Sequence, residues 1–401
     1  MWCQSRLLNS LAMILTIVLA PGAFGQAGDL QIHGFMTAGA AGSDSELPYY
    51  DGIDQRFDFS RDSKLGINLS KRLDDTWAMA AQIKAIGRQA STDVTLDWAF
   101  ATWYPTNSLA MRFGQQKMPT WLISDYSEVG RSYPWVRPPA EVYSLNPLTS
   151  FSGISTAYTF RFSGWELETM IAGGGFDTTI TDASPKPVAN VRNFVGTFFT
   201  LSNENLTVRV ARAIADAGIQ TSFYNINKMR AEFREVGARL DWKGLLVYSE
   251  WARSIGTTDP DERDRAVEAS AIAAGKAASS RSPSDQAAAR AAAIQAMFLT
   301  NSLLGGEGWY VTTGYQFGDF LPHFTYANLD SPEDSVGAGD QESFALGLKY
   351  DVSLSTDLKF EVQKARPLNQ TSGLFDRRSF EDFDRVFPDL TLYSMALDFV
   401  F

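Results

Sequence analysis

Residues 390–401 read LTLYSMALDFVF, and within them Tyr393, Met395, Leu397, Phe399 and Phe401 fall on every second position. Ser394, Ala396 and Asp398 lie between, so an extended chain here has one apolar face and one small or polar face. A half-buried strand of a water-soluble sheet alternates in the same way, so the rest of the chain has to decide.

At the other end Arg6 precedes the apolar stretch LLNSLAMILTIVLA, and Ala23 and Gly25 are the small pair expected before a cleavage point. Residues 1–25 read as a secretory signal peptide, which leaves 26–401 as the mature chain. The alternative, an anchor helix, needs about 20 apolar residues, and this run is shorter. The one cysteine, Cys3, leaves with the signal, so disulfides play no part in the mature chain.

With 35 basic and 46 acidic residues the net charge is −11, and loss of Arg6 makes it one unit more negative. Such a balance disfavours nucleic acid as a partner. After the signal no apolar run reaches helix-spanning length, because even the alanine tract from Ala287 is broken by Arg290 and Gln295. A helical membrane protein is thereby excluded, but a strand-built one is not.

Segments of about ten residues alternate apolar with polar or small along the chain, as in a transmembrane barrel. KLGINLSK sets Leu65, Ile67 and Leu69 against Lys64, Gly66, Asn68 and Ser70. DVTLDWAFATWY sets Val94, Leu96, Trp98, Phe100 and Tyr104 against Thr95, Asp97, Ala99 and Ala101. In later segments Arg161, Arg209, Lys349, Asp351, Lys359 and Glu361 share the small-residue face, and charges there need water. Short connections such as SGW, SNEN and WKGL alternate with long polar ones, the rhythm of an up-and-down barrel in an outer membrane. The segments number about sixteen, an even count with both termini on the short-turn side; a barrel of that size keeps an aqueous channel. The expected fold is therefore all-β, a transmembrane antiparallel barrel. The terminal strand closes it against the first, with Tyr393 to Phe401 toward lipid.

The longest non-repetitive loop, residues 119–152, follows the fifth strand. Its stretch SDYSEVGRSYPWVRPPAEVYSLNP resembles the constriction segment of a Gram-negative outer-membrane porin family, and the C-terminal phenylalanine resembles the sorting signal of such barrels. The resemblance implies a sixteen-stranded diffusion porin, a homotrimer, with this loop folded into the lumen and Asp125 and Glu128 as its acidic side. Read from the residues, Lys64, Lys84 and Arg112 point lumenward and can supply a basic wall opposite, or simply a solvated face. Arg161 joins them on the inner face. Arg131 and Arg137 either meet solute or pair with Asp125, Glu128 or Glu141. Trp121, Tyr126, Tyr133, Trp135 and Tyr143 either form an aromatic track or pin the loop to the wall.

One segment, residues 256–307, departs from the porin pattern. Asp259, Pro260 and Glu262, then Ser282, Pro283 and Asp285, mark two helix starts, so an alanine-rich helical hairpin is expected outside the cell between the eleventh and twelfth strands. A partial plug, a contact surface and a tolerated insertion all remain open for it.

His33 and His323 are the only histidines, too few for a convincing metal site, and AGGGF opens no helix or lysine that would cradle phosphate. The reading is a passive outer-membrane diffusion channel for small hydrophilic solutes and ions, without cofactor, embedded among outer-membrane lipid and lipopolysaccharide. The alternatives are a channel specific for anionic or carboxylate solutes, favoured if Arg112, Arg161, Arg209 and Arg239 form a ladder, and an outer-membrane hydrolase.

Overall fold

A computed structural model describes residues 30–401 except 89–90, 147, 180–187, 222–224, 281, 301–304, 332–338 and 377–384; the signal segment 1–25 lies outside the described residues. Sixteen strands form one closed antiparallel barrel in which each strand pairs with its sequence neighbours and the last pairs with the first. They are β1 (Leu30–Ser43), β2 (Lys64–Arg72), β3 (Trp77–Arg88), β4 (Ser91–Thr106), β5 (Leu109–Lys117), β6 (Ser150–Phe162), β7 (Trp165–Thr179) and β8 (Val188–Ser202). Around the other half run β9 (Leu206–Gln220), β10 (Asn225–Trp242), β11 (Leu245–Thr258), β12 (Gly306–Tyr315), β13 (Phe320–Asp330), β14 (Gln341–Ser353), β15 (Thr356–Pro367) and β16 (Leu390–Val400). Closure leaves no unpaired strand edge, the requirement for a sheet in lipid.

Alternation does what the sequence demands of it. On β12 the outward Trp309, Val311 and Tyr315 are exposed, whereas the inward Tyr310 and Thr312 are buried. On β16 Tyr393 and Leu397 face out while Ser394, Ala396 and Asp398 are buried inside. The short turns are tight: Ser163–Gly164 and Lys243–Gly244 both take positive φ at two successive residues, the mirror-image geometry that matches strand twist.

The face assignment of β4 changes along its length. Ile83 pairs with Leu96 but Gln82 pairs with Trp98, so Asp97 is an extra residue, a β-bulge. Before it Val94 and Leu96 face outward as expected. Beyond it the parity reverses: Trp98 and Phe100 turn inward with their partners Gln82 and Ala80, and Ala99 and Ala101 turn out beside Ala81 and Met79.

A long loop between β5 and β6 carries α1 (Ala140–Tyr143), and a helical hairpin, α2 (Pro260–Ser280) and α3 (Pro283–Thr300), lies between β11 and β12. Asp259 caps α2 by accepting from the amides of Asp261 and Glu262. Glu262 in turn accepts from the backbone amides of Asn227 and Lys228, and Gln295 bonds the backbone of Asn225, so the hairpin is docked on the top of β10. α3 buries Ile294, Ala296, Phe298 and Leu299, whereas α2 has no fully buried residue and packs on the core only through the half-buried Ala266. At the same end the first and last long loops pack together around Tyr49, Ile53, Phe375 and Phe387.

Candidate functional site: the lumenal constriction

The β5–β6 loop turns into the barrel from a neck where the Met118 amide donates to the Thr149 carbonyl at 2.8 Å. Inside, Ile123, Trp135, Glu141 and Val142 are almost wholly buried. The aromatic residues hold the loop to the wall. Trp135 donates from Nε1 to Thr312 and Thr325, at 2.9 and 3.1 Å, and its ring meets Tyr248 and Tyr310 edge-on. Trp121 stacks on Tyr143 at 4.8 Å and sets its edge on Phe233. Glu250, on β11, accepts from the Leu122 amide at 2.8 Å and from the hydroxyls of Tyr143 and Tyr310, so one buried carboxylate ties two parts of the loop to β11 and β12.

On the side of β15 and β16 the anchors are charged. Lys359 is buried among the carbonyls of Gly130 and Trp135 and the carboxylate of Asp398, 3.0 Å away. Gly130 packs so closely on Asp398 that any β-carbon there would collide with it. Arg137 pairs with Asp62, Nε to Oδ1 at 2.6 Å, and also reaches Ser394. Arg131 pairs with Asp351 at 2.7 Å and Asp357 at 3.1 Å and donates to two carbonyls of the β14–β15 turn. Both arginines are thus structural ties, and neither uses the partners Asp125, Glu128 or Glu141.

Glu128 is the centre of the charged site. Its carboxylate lies 2.7 Å from Lys84, 3.1 Å from Lys117 and 3.6 Å from Lys64. Asp97, at the bulge in β4, lies 3.1 Å from Lys84 and 3.4 Å from Lys117 and accepts from Gln82. Burial alone would raise the Glu128 pKa, but the ammonium groups of Lys117, Lys84 and Lys64 outweigh it and hold the carboxyl well below its usual range. Three cations therefore face two anions. The expected acidic loop and basic wall meet in direct contact rather than across an open gap.

The remaining expected residues separate from this cluster. Asp125 is exposed in a 3-10 turn, Ser124–Tyr126, apart from the lysine cluster. Arg112 lies over the Phe100 ring, 5.4 Å from its centroid. Arg161 sits at the β6–β7 turn, half exposed and paired with Glu166 at 2.8 Å. Arg209 bonds Thr200 and the Pro119 carbonyl, and Arg239 pairs with Asp241, so the four arginines are each engaged rather than stacked as a free ladder. Lys117 escaped sequence reasoning because it falls on the opposite parity to Arg112 on β5.

Above the cluster opens a cavity of about 650 Å³ whose lining includes Lys64, Lys84, Asp97, Glu128, Arg61 and Asp62. A closed sixteen-stranded barrel with polar inner side chains, an apolar outer belt and an inward loop defines a membrane channel. Comparison with known proteins makes the class specific. A family model described as Gram-negative porin matches residues 10–368, and the chain belongs to that family. It is a channel of the Gram-negative outer membrane.

Solved structures agree in fold. The chain superimposes on an anion-selective porin from Comamonas acidovorans with a TM-score of 0.56 at 10% identity, covering 93% of this chain and 99% of that one. For Salmonella typhi OmpF, in complex with daunomycin, the TM-score is 0.55 at 11% identity, covering 94% and 99%. For the trimer form of in-vitro folded OmpT from Vibrio cholerae it is 0.53 at 10%, covering 93% and 99%. No curated protein sequence matches the chain.

Proposed function

We propose that the channel passes small hydrophilic solutes and ions by passive diffusion and that its ion preference is set where Glu128 meets Lys64, Lys84 and Lys117. The supporting observation is the position of that cluster on the wall of the 650 Å³ vestibule, where the Lys84–Glu128 contact of 2.7 Å is shared by cavity-lining residues. Exposed charges act over roughly 8 Å at physiological salt, so groups at the narrow section outweigh the acidity of the chain as a whole. Asp125, exposed on the same loop, adds a negative charge outside the lysine cluster.

No cofactor or energy source is needed, and we read the protein as a channel rather than an enzyme. His323 is buried on β13 and His33 lies on β1, and among the described residues neither belongs to a nucleophilic arrangement. We also propose a homotrimer held in lipid and lipopolysaccharide. Ala81, Ala99 and Ala101 leave a shallow outer hollow of about 440 Å³ on β3 and β4, where a neighbouring wall can approach closely. Residues 1–25 remain the proposed export signal. The test is ion conductance of the purified protein in planar bilayers, compared with lipid hydrolysis by the same sample. Stepwise conductance without hydrolysis is expected; hydrolysis without conductance would replace the channel by the enzyme.

A further inference from the structure

The inner wall of β9 is apolar where an aqueous channel would be expected to be polar. Ala211, Ala213, Ala215, Ala217 and Ile219 succeed one another on its inward face, all buried. Against them stand Val191 and Phe194 of β8 and Phe233 of β10. Between this wall and the β5–β6 loop remains a cavity of about 90 Å³, lined by Ala213, Ala215, Ala217, Val191, Phe194 and Phe233. Thr120 also lines it, and this residue is 1% exposed with no hydrogen-bond partner for its Oγ1. A buried hydroxyl without a partner is costly unless something in the cavity bonds it. Leu148 and Phe176 line both this chamber and the large vestibule, so the two spaces adjoin across these two side chains.

We propose that this chamber is a binding subsite for a small uncharged aromatic molecule bearing one hydroxyl, a phenol. The ring occupies the space over the three alanines, and its hydroxyl bonds Thr120 Oγ1. Small side chains on β9 make the room: an alanine at 213, 215 or 217 leaves a gap that a leucine would fill. The one charged residue of the lining, Glu232, gives its carboxylate to Arg212 and Arg234, so a charged group would find no free counter-ion there, whereas a fully apolar guest would leave the Thr120 hydroxyl unmet. This inference rests on the channel reading and extends it from hydrophilic solutes to a second class held on the way through.

The probe is 4-fluorophenol, followed by its ¹⁹F resonance in titrations of the folded, detergent-solubilised full chain, with fluorobenzene as the comparison. The wild type is expected to show saturable binding of 4-fluorophenol, tighter than fluorobenzene by several-fold. Ala215→Leu should weaken both probes at least tenfold while leaving potassium chloride conductance in planar bilayers unchanged. Thr120→Val, matched in shape, should abolish the preference for the hydroxylated probe and leave fluorobenzene binding as it was, which keeps the test decisive if the leucine variant does not fold. Absence of saturable binding in the wild type, or identical titrations for wild type and both variants, overturns the subsite. Loss of conductance in the wild type itself would instead overturn the channel reading.

Discussion

The ring of Phe401 lies over the bare backbone of Gly34, and the two residues exchange both backbone hydrogen bonds, at 2.9 and 3.0 Å. The last residue of the chain thus completes the seam between β16 and β1, and its stacking with Phe399 continues the aromatic row on the outer face. Gly34 is required by that ring, since any β-carbon there would collide with it.

Three changes therefore attack closure directly. Gly34→Val forces the Phe401 ring aside, deletion of Phe401 removes two seam hydrogen bonds, and Phe399→Asp puts a carboxylate toward lipid, at a cost below the roughly 2–4 kcal/mol of a basic residue at mid-depth. Each is expected to lower the fraction of heat-resistant, membrane-embedded barrel, read by gel mobility with and without boiling. Wild-type amounts of embedded protein in Phe399→Asp would mean that this face does not meet lipid.

Much of the architecture was readable because its cause is local. Alternation with a period of two, turn residues at intervals and helix starts at Asp259 and Ser282 depend only on neighbours in sequence. The constriction was less readable. Alternation placed Asp97 on the inner face, where it joins the lysine cluster, but the bulge at Asp97, which no periodicity announces, reverses the parity beyond it and turns Trp98 and Phe100 inward. Lys117 joins the cluster from the outward parity, at the point where β5 gives way to the loop. Arg137 finds Asp62 across 75 positions, a pairing set by how two loops cross. Such contacts are tertiary, and residue type alone leaves several partners equally available.

The charge cluster makes a directional prediction about permeation. Glu128→Gln leaves Lys64, Lys84 and Lys117 facing Asp97 alone, so reversal potentials across a salt gradient should move toward anions. Lys64→Gln with Lys84→Gln should move them toward cations. Asp125→Asn, which changes an exposed charge outside the cluster, should produce a smaller shift toward anions. Removing the Glu128 charge also leaves buried lysines short of a partner, and a few kcal/mol of loop stability should be lost with it. Unaltered reversal potentials in both cluster variants would show that these residues do not control the narrow section.

Acid should act late on the same contact. A carboxyl whose folded pKa is depressed contributes stability above its unfolded value, roughly 4.3, and loses that contribution only as pH falls through the lower folded value. Conductance and ion preference are therefore expected to stay level from neutral pH down to about 4 as far as Glu128 is concerned, and to change below that. Glu128→Gln should remove the low-pH change. A midpoint near 6 that disappears in this variant would contradict the three-lysine environment.

The helical hairpin can be tested by removing it. Its docking is asymmetric: α3 contributes Phe298 and Leu299 to the packed interior, whereas α2 stands exposed with Val267 and Ile272 uncovered. Thr258 at the end of β11 donates to the Leu299 carbonyl, so the last turn of α3 is held against the barrel top. Replacing residues 259–304 by a short glycine linker should leave the strand pairing of β11 and β12 intact, because their register runs from Leu245 with Tyr315 to Ser254 with Gly306 without help from the hairpin. Closing a shorter loop costs little chain entropy and can recover some. The variant loses the burial of Phe298 and Leu299, on the order of 1.5–3 kcal/mol for each side chain, so a lower melting temperature with a folded barrel is expected. If α3 narrows the mouth, single-channel conductance rises at the same time. A variant that keeps wild-type conductance and solute uptake would confine the hairpin to the outer surface.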